Sequence, residues 1–370
     1  LASFGTFSLP RVEKGDSDRF SAERASKHIE VMSKVPHSVE HPVERAQVRR
    51  YLYDILEDMG GEPEIHEYDS IKFRYGGYFD IGNVYCQFDP LSGPADSYIM
   101  MVAHFDSRFR QAKLQKTVYS YGAGDDAYGV GSILELLSQA LKYRDEWHQG
   151  VRILLTDSEE NALDGMKCAA KYNPELFENV GYVVNLESRG MNGPVLLFET
   201  SANNENVLDL YSEAKAPYGY SLTTVVYRFL PNNTDFTIVK DSIPGINFST
   251  IDNINYYHVD DDNFENINLA TIQHYGAQIE PILEEFLTSG EYRDPDALKG
   301  DEDLVFFTVP ILGIFSFTKP QFTLFCSVVF ALFCLALVLN ISARNATMKG
   351  VLKKALVIFL SSLLVLAMGE

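Results

Sequence analysis

The chain has 370 residues, 46% hydrophobic and 22% charged, enough for one large domain with a sizeable core and too apolar for a disordered protein. Its formal net charge of −20 argues against nucleic acid as a partner, because phosphate binding needs clustered Lys and Arg. Four cysteines are too few for a disulfide scaffold; Cys326 and Cys334 lie in an apolar run, and Cys86 and Cys168 pair only if the fold brings them together.

The chain opens at Leu1 without a signal peptide or initiator methionine, so an upstream piece is expected, and residues 1–20 read as a lead-in. Residues 21–59 then read as two helices, SAERASKHIEVMSKV and PVERAQVRRYLYDILEDM, whose apolar residues recur at three- and four-residue spacing after Ser21 and Pro42. Gly60 and Gly61 end the second. Three strand-like runs follow, EIHEY, YFDIGNVYCQF and SYIMMVAHF. Beyond a loop rich in Gly and Asp come a helix over 129–143 and the strand VRILLT. A helix over 164–172, the strands VGYVVNLE and PVLLFET, a helix over 205–214 and the strand GINFST continue the alternation. This order predicts an α/β fold, a three-layer sandwich around a mixed, mostly parallel central sheet.

The C-terminal part changes character: residues 301–370 hold five Lys or Arg and four Asp or Glu, so nearly all the acidity precedes them. Residues 304–317 are apolar but contain Pro310 and Gly313, and read as a juxtamembrane strand or interfacial segment within a 299–321 linker, with a short extra span as the alternative. FTLFCSVVFALFCLALVLNI, residues 322–341, carries no charge and is long enough for a transmembrane helix. Residues 355–370 read as a second, truncated or final span. Between them, 342–354 carries Arg344, Lys349, Lys353 and Lys354 with no acid, which the positive-inside rule assigns to the cytoplasm. The chain is therefore expected to be an integral membrane protein in contact with the lipid bilayer, its acidic domain on the exoplasmic side, extracellular or lumenal. The sequons at Asn232 and Asn247 fit that side.

In open α/β sheets ligands gather beyond the carboxyl ends of the strands, and four strands here end in metal-ligand chemistry. IMMVA runs into His104 and Asp106; VRILLT into Asp157, Glu159 and Glu160; VVNL into Glu187; and GINFST leads to Tyr256, Tyr257 and His258. A fifth element is the turn GAGDDAYG with Asp125 and Asp126, either of which could merely cap the following helix. Two imidazoles with three carboxylates suit the mixed nitrogen and oxygen preference of zinc. The other histidines, His28, His37, His66, His148 and His274, read as ordinary polar residues of helices and turns.

The ordered set VAHFDS, GAGDDAYG, DSEENALDG, NLES and YYHVDDD resembles the di-zinc peptidases of clan MH, the family of bacterial leucyl aminopeptidase and glutamate carboxypeptidase. PHSVEHPVERAQVRRYLYDIL and the apolar tail resemble its membrane-bound branch of endoplasmic reticulum and vacuolar proteases. The resemblance implies a peptidase domain over 21–298, a peptide substrate and two zinc ions. It implies His104, Asp125, Glu160, Glu187 and His258 as metal ligands, Asp125 bridging. Glu159 would be the general base, Asp106 would hold the His104 ring, and Asp262 would steady the last loop. Where the family has the first of a run of acids this chain has Gly124, which bears on the choice between Asp125 and Asp126; Glu187 stands where many relatives carry Asp. Tyr256 or Tyr257 is a candidate donor to the developing oxyanion, and Asp235 faces either the site or its own loop. The implied activity is an aminopeptidase; the alternatives are a glutaminyl-cyclase-like acyl transfer at one zinc and a non-catalytic ectodomain.

Overall fold

The computed structural model describes residues 8–113, 116–227, 229–230, 232–342, 347–351, 353–354 and 356. The chain divides after Ser316 into a large unit and a second that begins at Phe317.

The large unit starts with helices α1 (Ala22–Met32) and α2 (Pro42–Asp58), then strands β1 (Glu64–Lys72), β2 (Tyr78–Phe88) and β3 (Tyr98–His104). A two-stranded ribbon, β4 (Gln111–Lys113) and β5 (Lys116–Val118), precedes α3 (Ala127–Ala140) and β6 (Gly150–Thr156). Next come α4 (Glu159–Ala162), α5 (Asp164–Tyr172), β7 (Val180–Ser188), β8 (Leu196–Thr200), α6 (Glu205–Tyr211), α7 (Ser221–Tyr227) and α8 (Phe236–Val239). The order closes with β9 (Gly245–Thr250), α9 (Leu269–Thr288) and a hairpin of β10 (Val305–Val309) and β11 (Gly313–Phe317), before α10 (Lys319–Ser342).

Seven strands form one sheet in the order β1-β2-β6-β3-β7-β9-β8. The four central strands β6, β3, β7 and β9 run parallel, while β2 and β8 run antiparallel to them and β1 pairs antiparallel with β2 at the edge. The central strands are buried along their whole length, so they read as continuous apolar runs rather than alternations. Alternate residues nevertheless serve two layers. Ile99, Met101 and Ala103 of β3 join the core shared with α1, α3 and α9, whereas Met100 and Val102 pack with Met166, Ala169, Phe236 and Val239 of α5 and α8. Helix, sheet and helix therefore make the three expected layers.

α9 was not anticipated, because Pro281 interrupts its sequence. Its buried face includes Ile272, Tyr275, Ile279, Ile282, Leu283 and Phe286. At roughly 1.5–3 kcal/mol for each large apolar side chain, that burial exceeds the ~3 kcal/mol cost of an interior proline. Cys86 and Cys168 are both buried and free, so no disulfide links them.

α10 is 24 residues long with a mean hydropathy of 2.8 over its most apolar window, and it alone among the described residues is long and apolar enough to cross a membrane. The second expected span falls on 355–370, almost all of it outside the described residues.

Candidate metal centre

The parallel strands deliver their ends to one rim. β3 ends on His104, opposite Thr156 at the end of β6, and Glu187 of β7 pairs with Ser249 of β9. Because β6, β3, β7 and β9 are neighbours, the chain segments that follow them converge over one edge of the sheet.

There the five expected ligands meet in two groups that share Asp125: His104, Asp125 and Glu187, and Asp125, Glu160 and His258, with the donor atoms of each group within 4.8 Å of one another. His104 Nε2 lies 3.2 Å from Asp125 Oδ1 and 3.8 Å from Glu187 Oε2. His258 Nε2 lies 3.2 Å from Asp125 Oδ2 and 3.0 Å from Glu160 Oε1. One carboxylate thus presents each of its oxygens to a different imidazole. Glu159 lines the same pocket as Asp125 and Glu187.

Supporting groups fix this arrangement. His104 Nδ1 donates to the backbone carbonyl of Asp106 at 3.0 Å, which turns Nε2 toward the cluster. The Asp106 carboxylate is 3.5 Å from the ring, and its main partners are elsewhere: it accepts the backbone N–H of Glu159 at 2.9 Å and of Glu160 at 3.4 Å. It therefore holds the glutamate pair as much as the imidazole. Those glutamates open a single helical turn, α4, rather than prolonging β6, so their side chains diverge by about 100°. Ser158, at φ 61°, makes the bend.

The neighbouring aspartates separate by position. Asp125 sits between the two imidazoles, whereas Asp126 caps α3 and accepts the N–H of Gly129 at 3.1 Å. Asp262 accepts the N–H of Gly124 at 2.5 Å and the hydroxyl of Ser120 at 2.7 Å. A side chain at Gly124 would put its Cβ 3.1 Å from Asp262 Oδ1, a tight contact.

Charge in the cluster is strongly unbalanced. Burial alone would depress both imidazoles, yet hydrogen bonds and charges from Asp106, Asp125 and Glu159 raise His104 well above its usual value, and Glu160 and Asp125 push His258 up to about 9. Burial pushes Glu159 up, as do Glu187 and Glu160, against the pull of His104. Burial likewise tends to raise Asp125, but the two imidazoles outweigh it and hold its pKa below the usual carboxylate range. Asp125 Oδ2, Glu160 Oε1 and His258 Nε2 are buried and make no hydrogen bond. Buried lone pairs that face one another are costly unless a cation joins them, and a set of imidazoles and carboxylates suits zinc. The residues present fit that metal.

The site opens into a pocket of about 330 Å³ walled by Phe198, Leu222, Val226, Leu230 and Ile251. Tyr257 lines it and stacks on His258 at 3.5 Å, while Tyr256 packs against the main core, which separates the two tyrosines. Two arginines went unnoticed in the sequence. Arg108 pairs with Glu160 Oε2 at 2.6 Å, and Arg189 lies over the Tyr257 ring at 5.1 Å and lines the pocket. The signal was present, since each follows a ligand-bearing strand end by a few residues, but a lone cation there carries no pattern. Asp235 lies behind the cluster, bonded to the Thr156 hydroxyl, and burial pushes it up to about 6.

Asn247 is fully buried in β9, its amide donating to Glu199 and Thr234, so the folded domain cannot offer it for glycosylation. His274 is a buried polar residue of α9, its Nδ1 accepting from Val195 N at 2.9 Å and its Nε2 donating to the Ala216 carbonyl at 2.8 Å.

Comparison with known proteins bears on the family and the fold. The chain is 30% identical over 260 residues to human endoplasmic reticulum metallopeptidase 1, a match covering 68% of this chain and 27% of that protein. It thus spans about a quarter of the length of this relative. Among solved structures it is similar to a glutaminyl cyclase of Porphyromonas gingivalis, with 18% identity and a TM-score of 0.58 over 73% of this chain and 99% of that one. A Zn-dependent exopeptidase from Parabacteroides distasonis ATCC 8503 gives 19% identity and a TM-score of 0.56 over 75% and 99%. Both show the fold. The sequence model of peptidase family M28 matches residues 83–283, more than half of the chain and all seven residues built into the rim cluster, and the chain belongs to that family of zinc-dependent metallopeptidases.

Proposed function

We propose that the chain is the catalytic part of a membrane-anchored zinc aminopeptidase that holds two metal ions. The observation that carries this reading is Asp125, whose two carboxylate oxygens each lie 3.2 Å from a different imidazole. In that reading His104 and Glu187 complete one metal site, and Glu160 and His258 complete the other. Zinc held by these residues would supply Lewis acidity, able to polarise a carbonyl and to lower the pKa of a water toward neutrality.

The protein's own groups do the rest. Glu159 accepts a proton from the attacking water and passes it to the leaving amine as the C–N bond breaks, leaving a carboxylate and a free amine. Its raised pKa suits a group that must hold that proton between the two transfers. The hydroxyl of Tyr257, beside His258, donates to the developing oxyanion. Asp106 keeps Glu159 and Glu160 in register through their backbone N–H groups.

In this reading α10 is the membrane anchor, and the positive-inside bias of the basic 342–354 segment supports a catalytic domain on the exoplasmic side. The test is zinc content of the purified chain, together with turnover of free and N-blocked aminoacyl-peptides. Two zinc ions per chain and cleavage that requires a free amine support the proposal. One zinc ion, with release of ammonia from an N-terminal glutamine, would establish the cyclase reading instead.

A further inference from the structure

The pocket mouth carries an exposed apolar surface that the peptidase reading does not use. Along α7 and the turn after it, Leu222 is 70% exposed, Val225 50%, Val226 51% and Phe229 85%. Leu230 and Ile251 extend this surface, and Leu222, Val226, Leu230 and Ile251 all line the pocket, so the apolar face and the site share one rim. A contiguous exposed face of this kind on a domain marks a binding surface.

Its charge is as distinctive as its hydrophobicity. In a chain with 51 acids, no Asp or Glu stands between Glu213 and Asp235, or between Asp303 and Glu370. The first of these segments contains α7, and the second contains the β10–β11 hairpin and α10. The two acid-free segments meet. Phe306 N of β10 donates to Ser221 Oγ at the start of α7 at 2.7 Å, and Tyr220 bridges to Phe307. The hairpin folds back so that Phe315 stacks on Phe307 at 6.2 Å. Only Thr318 separates β11 from α10 along the chain.

We infer that the apolar surface formed by Val225 of α7 and Phe229 of the turn after it seats in the interfacial layer of a lipid bilayer. This deepens the membrane-anchored peptidase reading and rests on it. Acyl chains accept exposed Leu, Val and Phe, and a segment without Asp or Glu brings no carboxylate of its own to be desolvated in that layer. The pocket then opens at the membrane surface, and its substrates are peptide termini already lying in that layer, as on amphipathic or lipid-tethered segments. A surface shared with lipid raises the local concentration of such peptides over soluble ones.

The test uses the full chain in phosphatidylcholine vesicles brominated on the acyl chains. The only native tryptophan, Trp147, is 2% exposed and gives a constant background. A Phe229→Trp reporter is expected to be blue-shifted and quenched by bromine, while a Tyr172→Trp reporter on α5 is not. In parallel, Val225→Asp with Phe229→Asp, neither of which lines the pocket, is expected to leave turnover of a soluble aminoacyl substrate unchanged and to lower turnover of an acylated peptide in the same vesicles. A Phe229→Trp reporter that stays unquenched in chain floating with the vesicles overturns the inference. Emission that is blue-shifted but insensitive to bromine overturns it too, since a second copy or another protein would then cover this face. Chain that does not float removes the anchoring reading and the inference together, whereas loss of all hydrolysis with quenching retained removes only the peptidase reading.

Discussion

Arg108 holds one oxygen of Glu160 while the other faces His258. Its Nη1 lies 2.6 Å from Glu160 Oε2 and 3.0 Å from the Glu160 carbonyl oxygen, and Oε1 lies 3.0 Å from His258 Nε2. The side chain of Arg108 is 15% exposed and that of Glu160 is 4% exposed, so this charge-assisted contact is not screened as a surface pair would be. It limits Glu160 to one free oxygen and aims it. Arg108→Gln should therefore weaken the metal site of Glu160 and His258 about 10- to 100-fold, the usual cost of losing a partner behind a ligand. Chelator competition measures it; a zinc affinity indistinguishable from the parent would show that Arg108 is only a packing residue.

Glu159 and Glu160 are adjacent and have different duties, which a paired substitution separates. Glu159→Gln should keep both metals and lose about 10²- to 10⁴-fold in turnover, because only the proton acceptor is removed. Glu160→Gln should lose one metal. Metal analysis and steady-state rates on the same preparations decide it, and the assignment fails if Glu159→Gln loses zinc or keeps near-parental turnover.

Much of this centre was legible because the central strands are buried on both faces. IMMVA and VVNL could only be interior strands, so His104 and Glu187 had to lie at their ends. The choice between Asp125 and Asp126 was not legible from spacing, since either can precede a helix; only the fold shows Asp126 capping α3. The same holds for Tyr256 and Tyr257, whose orientation depends on the 3₁₀ turn at Ile254–Tyr256. α4 read as a strand end because four residues carry no helical period. Arg108 was missed for a different reason: its partner lies 52 residues away, and nothing local marks a cation that meets a carboxylate through the sheet.

A buried ion pair behind the rim gives a stability test. Asp157 follows β6, is wholly buried, and meets Arg45 Nη1 at 3.2 Å and Arg49 Nη1 at 3.8 Å, while accepting the N–H of Gly82 at 3.0 Å. Arg45→Met should leave a buried carboxylate short of its nearest cation and destabilise the domain by about 3–5 kcal/mol. Adding Asp157→Leu should recover part of that loss, because no charge is then left uncompensated. Denaturant midpoints of the two variants test the pair, and equal midpoints for Arg45→Met and the parent would show that Arg49 suffices.

His274 predicts how stability depends on pH, away from the metal ligands. Burial lowers its pKa to about 4, although its hydrogen bond to the Ala216 carbonyl raises it, against 6.5 for the free side chain. The folded state therefore refuses a proton that the unfolded chain accepts. Stability contributed by the neutral ring is fully present above pH 6.5 and is lost as pH falls toward 4, by about 3 kcal/mol from that displacement. His274→Gln carries no titrating proton, so it should be less stable at neutral pH yet lose less on acidification. Unfolding free energies of both proteins between pH 7 and 4 measure the slope, and parallel slopes would mean that His274 does not govern this acid sensitivity.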